Sequence, residues 1–389
     1  MRWRVLRRVP LIKLLLVVFF VLLLINLLDS RQNLKDDRTI SNITSEALIS
    51  TNKIRISTLE NRIAVVVVSC SRPEVSKSLD SIIEANGFGT LPLDYYISQG
   101  CQNQRVSDVA KNYVNFTHMV FIPSNGMVSG YETMSWHFYK FLTTIFDELK
   151  YHKIIVIEDD LLISPDFFEY FMKMKDLLDL DPSLMCISGW NDNGYPKYAH
   201  DPYSFQRTEF FPGLGWMISR EIWADVKNLW PDRYWDEHFR SPSITRGRSC
   251  IYPEVPRVEN FGRNGVSQGS YYVNYVYPIR RNTMKVNYEN VNIDTLTKDN
   301  YESSFFGLFE TATPVTIATY KKISSFQNNS NYKIEFSSRN KYQKLCVHFG
   351  ITYSTRYHIP RTSYHKITLL NLGTHKVFLY TSSDSVQLD

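Results

Sequence analysis

The chain contains no CxxC pair, no GxxxxGK[ST] and no HExxH. Those absences argue against a thioredoxin-like redox centre, a cysteine-paired zinc site, a P-loop NTPase and a zincin. There is no internal repeat and no low-complexity tract. Hydrophobic residues make up 43% of the 389 and charged residues 21%. That is the composition of a globular chain with ample core, not of a disordered or collagen-like one. Net basic character is also missing from the body. Of 44 Lys and Arg, five (Arg2, Arg4, Arg7, Arg8 and Lys13) precede residue 14, where no acid occurs, and the rest balance the 39 Asp and Glu. A nucleic-acid partner, which needs a basic face against phosphate, is therefore not expected.

What is present at the N-terminus is a long apolar run, Leu14 to Leu28, interrupted only by Asn26. Extended back to Val9 it reaches the roughly 20 residues that span a bilayer. A cleavable signal peptide is the rival reading, but no small-x-small site follows. The bases precede the apolar run, so residues 1–8 are expected to be a cytoplasmic tail and 9–28 a single-pass signal anchor, with the remainder lumenal. Polar residues 29–60 read as a stem. Sequons at Asn42, Asn115 and Asn328 agree with a lumenal body. Five cysteines, at 70, 101, 186, 250 and 346, leave at least one unpaired within the chain, and spacing alone does not fix the pairing.

From residue 62 the pattern changes. Arg62 to Cys70 holds a β-branched run of the kind buried on both faces of a parallel sheet. Helical periodicity follows over Val75 to Ala85, then strands near Leu93–Ser98 and His118–Ile122, a helix over about Tyr131 to Leu149, and a strand at Lys153–Ile157. Alternation of this kind predicts an α/β sheet. Beyond about residue 285, Val315–Ala318, Tyr332–Phe336, Lys344–Phe349 and Ile367–Tyr380 suggest a smaller β-rich module.

Four constellations carry chemistry. Ile154 to Asp160 is a buried strand ending in Glu158, Asp159 and Asp160. Adjacent carboxylates at a strand end repel, and a hard divalent ion with positions open to phosphate oxygens would resolve the conflict. The bland alternative is an acidic cap of the helix opening at Ser164-Pro165-Asp166. Phe210 to Trp216 sets Gly213 and Gly215 among large aromatics, either a wall against a sugar or a tight turn beneath the core. Asp236, in Tyr234-Trp235-Asp236-Glu237-His238, is a general-base candidate or the partner of Arg233 or Arg240. Phe261 to Gly269 has three glycines and suits a loop that closes over a ligand.

Taken in order, Glu158 to Phe171, Ile187 to Gly194, Phe210 to Trp216, Trp235-Asp236 and Phe261 to Gly269 strongly resemble the N-acetylglucosaminyltransferase I family, over about residues 62 to 282. The resemblance implies a Golgi type II membrane enzyme with a GT-A nucleotide-sugar fold over residues 61–284 and a β-rich module over 285–389. It further implies UDP-GlcNAc as donor, Mn²⁺ as cofactor, inversion at the anomeric carbon and a β-1,2 link to a mannose of an N-glycan on glycoproteins. By the same resemblance Asp160 holds the metal, and Glu158 and Asp159 lie among the nucleotide and sugar contacts. Asp236 is the base on the acceptor hydroxyl, with Trp235 beside it. Arg72 and His137 match donor-contacting positions, and Val266 and Ser267 fall in the loop over the donor. Cys70 with Cys101, and Cys186 with Cys250, match the family's disulfides, leaving Cys346 as the odd thiol. One position departs: Gly100 stands where the family has a uridine-contacting Asp, with Asp94 a neighbouring acid to replace it. Two other readings stay open. In an O-mannosyl-protein β-1,2-GlcNAc transferase, an extra stem domain would be needed that residues 29–60 are too short to hold. A catalytically silent glycan-binding homologue would have no need of both Asp160 and Asp236.

Overall fold

The computed structural model describes residues 62–85, 89–123, 130–263, 272–323, 330–383 and 386–389. The expected tail, anchor and stem, together with Val266 and Ser267, lie outside the described residues. Among those described, no helix is long and apolar enough to cross a membrane.

Among the described residues, ten strands come first: β1 (Ile63–Ser69), β2 (Leu93–Gln99), β3 (Phe116–Val120), β4 (Lys153–Glu158), β5 (Leu161–Ile163), β6 (Leu184–Ser188), β7 (Phe205–Thr208), β8 (Trp216–Ser219), β9 (Ser249–Pro253) and β10 (Val258–Asn260). Eight of them form one mixed sheet in the order β3-β2-β1-β4-β8-β6-β9-β7. The expected α/β class is what the chain adopts. The first four strands are parallel neighbours, and β8 then runs antiparallel to β4. β5 and β10 make a separate two-stranded pair.

All seven residues of β1 are buried, because both faces of the sheet are covered. Val65 and Val67 join one core with Leu79 and Ile82 of the helix Val75–Ala85. Val66 and Val68 point the other way, into a core with Phe138 and Phe141 of the helix Gly130–Thr143. Period-two alternation thus feeds two cores from one strand, each fully buried large side chain contributing roughly 1.5–3 kcal/mol. The helix read as Tyr131 to Leu149 is α-helical only to Thr143, and Thr144–Glu148 continue as a π turn.

The C-terminal portion differs from its β-rich reading. A four-stranded sheet, β11-β12-β16-β15, is built from β11 (Thr313–Pro314), β12 (Ser330–Glu335), β15 (Thr368–Asn371) and β16 (His375–Tyr380), with β13 (Thr355–Arg356) and β14 (Ile359–Pro360) paired apart. Helices Lys298–Glu310 and Arg339–Phe349 accompany it. Lys344–Phe349, read as strand, is the end of that second helix. Ser338 caps its start by accepting from Lys341 N, and Gly350 ends it at φ 58°. Val315–Ala318 likewise is not a strand: Thr316 caps the short helix Ile317–Tyr320. This portion is tied to the large sheet. Asn193 Nδ2 donates to Thr362 Oγ1 at 2.8 Å, Arg361 pairs with Asp192 at 2.7 Å, and Ser363 O accepts from Glu209 N at 3.0 Å.

Candidate active site

The parallel strands β1, β2 and β4 end side by side, with Val68 opposite Glu158 and Ser69 opposite Gln99. The acid triplet therefore emerges at their C-terminal edge, where open α/β sheets bind ligands. Ser69 Oγ donates to Asp159 Oδ2 at 2.8 Å. Arg72, just beyond β1, pairs with Asp159 and, at 2.8 Å, with Asp160 Oδ2. On the other side Asn260 Nδ2 donates to Asp160 Oδ1 at 3.0 Å, and Phe261 N donates to Asp160 O at 2.8 Å. Gly262 is there because of Asp160: a Cβ at 262 would lie 1.9 Å from Asp160 Oδ2. Thus the glycine of the Phe261 motif allows the loop to pass directly against the acid.

Charge at this edge is undercompensated. Burial, then Asp160, Asp159 and Asp236, push the Glu158 carboxyl up to about 8. Burial pushes Asp159 up to about 6 despite Arg72, and raises Asp160 as well. The residues fit a hard divalent cation for that reason: carboxylate oxygens share a single guanidinium, and a second cation would offset the surplus. No three His, Cys, Asp or Glu among the described residues converge as a ligand set. Both carboxylate oxygens of Asp160 are engaged within the chain, Oδ2 by Arg72 and Oδ1 by Asn260. The capping alternative fails on a different residue. Asp166 makes no cap bond and is instead buried against Arg257, Asn282 and Tyr288.

Asp236 lies near enough to Glu158 to raise it electrostatically. It opens the short helix Trp235–Phe239, with its side chain 43% exposed and Oδ2 held 2.8 Å from Arg240. Of the two expected partners it takes Arg240, while Arg233 reaches Glu132 at 3.5 Å. Arg240 is itself fixed, donating to Phe211 O at 3.2 Å and lying 4.9 Å from the centre of the Phe210 ring. Trp235 is buried and stacks on Phe138 at 4.1 Å, anchoring the helix under the aspartate. The Phe210 to Trp216 segment is a turn with its rings in the core. Gly213, Leu214 and Gly215 all have positive φ, Phe211 and Trp216 are fully buried, and a Cβ at 215 would meet Val258 at 2.6 Å.

His137 is buried beneath the ends of β1 and β2, its Nε2 2.7 Å from Ser98 Oγ. It packs directly on Gly100. Asp94, offered as a substitute for an acid at 100, does not serve. It sits at the opposite end of β2, tied to Arg62 at 2.7 Å and to Tyr151 OH at 2.7 Å. Five residue steps along the strand, about 16 Å, separate Asp94 from Gln99. The structure joins Cys70 to Cys101 and Cys186 to Cys250, and Cys346 is a buried free thiol pushed up to about 12 by burial. The first disulfide links the loops after β1 and β2, next to Arg72. Sequence reasoning missed Asn260 and the positioning part of Ser69. Asn260 directly precedes the Phe261 motif, and Ser69 is the only hydroxyl in an otherwise aliphatic strand. Residues 265–269, Gly-Val-Ser-Gln-Gly, also spell G-x-S-x-G; a hydrolase elbow needs a strand–turn–helix around that serine, and these residues lie outside the described ones.

Residues 23–389 match the GNT-I family. The α-1,3-mannosyl-glycoprotein 2-β-N-acetylglucosaminyltransferase of Arabidopsis thaliana is 32% identical over 332 residues, covering 83% of this chain and 74% of the relative. The chain belongs to the GNT-I family. Among solved structures, residues 1–349 of S. aureus TarS are 10% identical with a TM-score of 0.34, over 49% of this chain and 60% of that one. The mannosyltransferase PcManGT of Pyrobaculum calidifontis, solved with GDP-Man and Mn²⁺, is 15% identical with a TM-score of 0.33, over 51% of this chain and 58% of that one.

Proposed function

We propose that the chain is an inverting glycosyltransferase that moves GlcNAc from UDP-GlcNAc to a mannose of an N-glycan in β-1,2 linkage. The observation that carries this reading is an undercompensated acid cluster at parallel strand ends, facing Asp236, in a GNT-I family chain. Residues 61–284 act as a catalytic domain of the GT-A type and 285–389 as the module packed against it. Asp160 holds a divalent ion, Mn²⁺, which when bound offsets charge on the donor diphosphate. Arg72 fixes Asp159 and Asp160 and adds a cation at the same edge, while Glu158 and His137 shape the donor side with Val266 and Ser267, and Trp235 stands beside the base. The Asp236 carboxylate accepts the proton of the acceptor hydroxyl as that oxygen bonds to the anomeric carbon. The bond from that carbon to the diphosphate oxygen breaks on the opposite side, UDP leaves, and the centre inverts without an enzyme nucleophile.

Residues 1–8, 9–28 and 29–60 serve as cytoplasmic tail, membrane anchor and stem of a Golgi type II protein, supported by the basic flank and the apolar run. The test is transfer by the full chain in detergent, with UDP-GlcNAc and a five-mannose N-glycan, in Mn²⁺ and then in EDTA. Metal-dependent addition of one GlcNAc is expected. No transfer to that acceptor, nor to O-mannosyl acceptors, by a folded chain would sink the enzymatic reading in favour of a glycan-binding protein.

A further inference from the structure

Tyr234 suits its place poorly as a backbone residue and as a helix cap. It has φ 56° and ψ 48°, a left-handed conformation that bulky side chains seldom adopt. It occupies the N-cap of the helix Trp235–Phe239, yet its side chain makes no capping bond, where Asn, Asp or Ser would. Its ring is not core either, since the residue is 45% exposed. What the ring does is meet Tyr131, the centroids 4.6 Å apart and the planes 43° to each other. Tyr131 stands in the first turn of the helix Gly130–Thr143 and is itself partly exposed. The neighbouring pair Arg233–Glu132, at 3.5 Å, joins the same two segments. A strained backbone that presents a fixed aromatic pair to solvent points to a use outside folding.

The location says which use. Only Trp235 separates Tyr234 from Asp236, and two residues of chain span at most about 7 Å. Trp235 is buried on Phe138, so the two flanking side chains, Tyr234 and Asp236, are the exposed ones at this helix start. A glycan whose mannose hydroxyl reaches the Asp236 carboxylate extends beyond that mannose, and Tyr234, with Tyr131 against it, is the exposed aromatic surface next to Asp236 along the chain. Aromatic faces suit such a ligand, because a pyranose has an aliphatic C–H face bordered by hydroxyls, and a tyrosine has an apolar body with a polar tip. We propose that Tyr131 and Tyr234 form an acceptor subsite, a stacking platform for a pyranose of the mannose-terminated glycan. This rests on Asp236 serving the acceptor, as argued above.

The experiment uses the full chain in detergent with Tyr234→Asn and Tyr234→Phe. Asn accepts the left-handed backbone without a ring, so it separates the platform from the fold. Expected for Tyr234→Asn are a melting temperature no lower than that of the unaltered chain, a donor KM within twofold, and an acceptor KM raised about tenfold. Tyr234→Phe keeps the stacking face and is expected to keep the acceptor KM within about threefold. An unchanged acceptor KM in Tyr234→Asn would overturn the proposal. So would a donor KM rising in step with it, which would make the pair a platform for the nucleotide base. Because an inactive chain would speak to Asp236 and not to the tyrosines, a five-mannose glycan is also titrated calorimetrically into Asp236→Asn, with and without Tyr234→Asn. About tenfold weaker binding in the double variant supports the subsite whatever the turnover, and equal binding overturns it.

Discussion

A Cβ on Gly100 would lie 2.2 Å from Nδ1 of His137, so the glycine and the histidine are one packing arrangement. Gly100 is needed for space and not for an unusual backbone, since its φ is not positive. An Asp at 100, the residue the family resemblance leads one to expect, is incompatible with His137 in this position. Gly100→Ala is expected to lower stability by about 1–3 kcal/mol through overpacking, and Gly100→Asp by more. Combined with His137→Ala, the alanine at 100 should cost much less than alone. Thermal melts of the two single variants and the double variant test this, and strictly additive losses would mean the residues do not share space.

His137 also sets an acid limit. Burial holds its imidazole down to about 3, against an ordinary value of 6.5. The unfolded chain thus takes up a proton that the folded chain refuses. The resulting stability is present above pH 6.5 and is lost as pH falls toward 3, at about 1.4 kcal/mol per unit for the one proton. Urea unfolding at pH 4, 5, 6 and 7 is expected to show a shallower acid loss in His137→Gln than in the unaltered chain. Equal slopes would place that proton elsewhere.

Asp160 and Asp236 are assigned to different steps, and two substitutions separate them. Asp160→Ala removes the proposed ion ligand and should abolish Mn²⁺-dependent donor binding, which calorimetry with UDP-GlcNAc reads directly. Asp236→Asn keeps the shape of the helix start and should leave donor binding intact while turnover falls by 10²-fold or more, as expected for loss of a general base. Transfer that is unchanged in either variant would remove the corresponding assignment.

Much of the site is legible before any coordinates, because its chemistry is written locally. Three consecutive acids after an aliphatic strand announce a charge conflict, and Trp235-Asp236 sets a carboxylate beside a large apolar ring. What the sequence hides are contacts between distant segments. Nothing local in Gly100 points to the ring of His137, and nothing in Asn260 points to Asp160. The fold shows the same division. The run Ile63–Ser69 is decided by its own apolar pattern, whereas Leu345, Val347 and Phe349 alternate like a strand yet belong to a helix. There the caps at Ser338 and Gly350 outweigh a short period-two coincidence.

Arg240 supplies the last test, since it holds Asp236 while being held itself. Its guanidinium reaches Asp236 at 2.8 Å, Glu237 at 3.3 Å and Phe211 O at 3.2 Å, over the ring of Phe210. Arg361, bound to Asp192, lies 4.8 Å from the centre of that same ring, so the C-terminal portion buttresses the arrangement. Those contacts need a planar fork, and a lysine ammonium cannot make them together. Arg240→Lys is therefore expected to behave like Arg240→Gln: kcat lower by about 10- to 100-fold, because small misplacements of a reacting group are costly, and donor KM within twofold. Steady-state kinetics with both substrates varied decides it. Full activity in Arg240→Lys would reduce the role of Arg240 to its charge, and a loss confined to donor KM would place it on the nucleotide and not on the base.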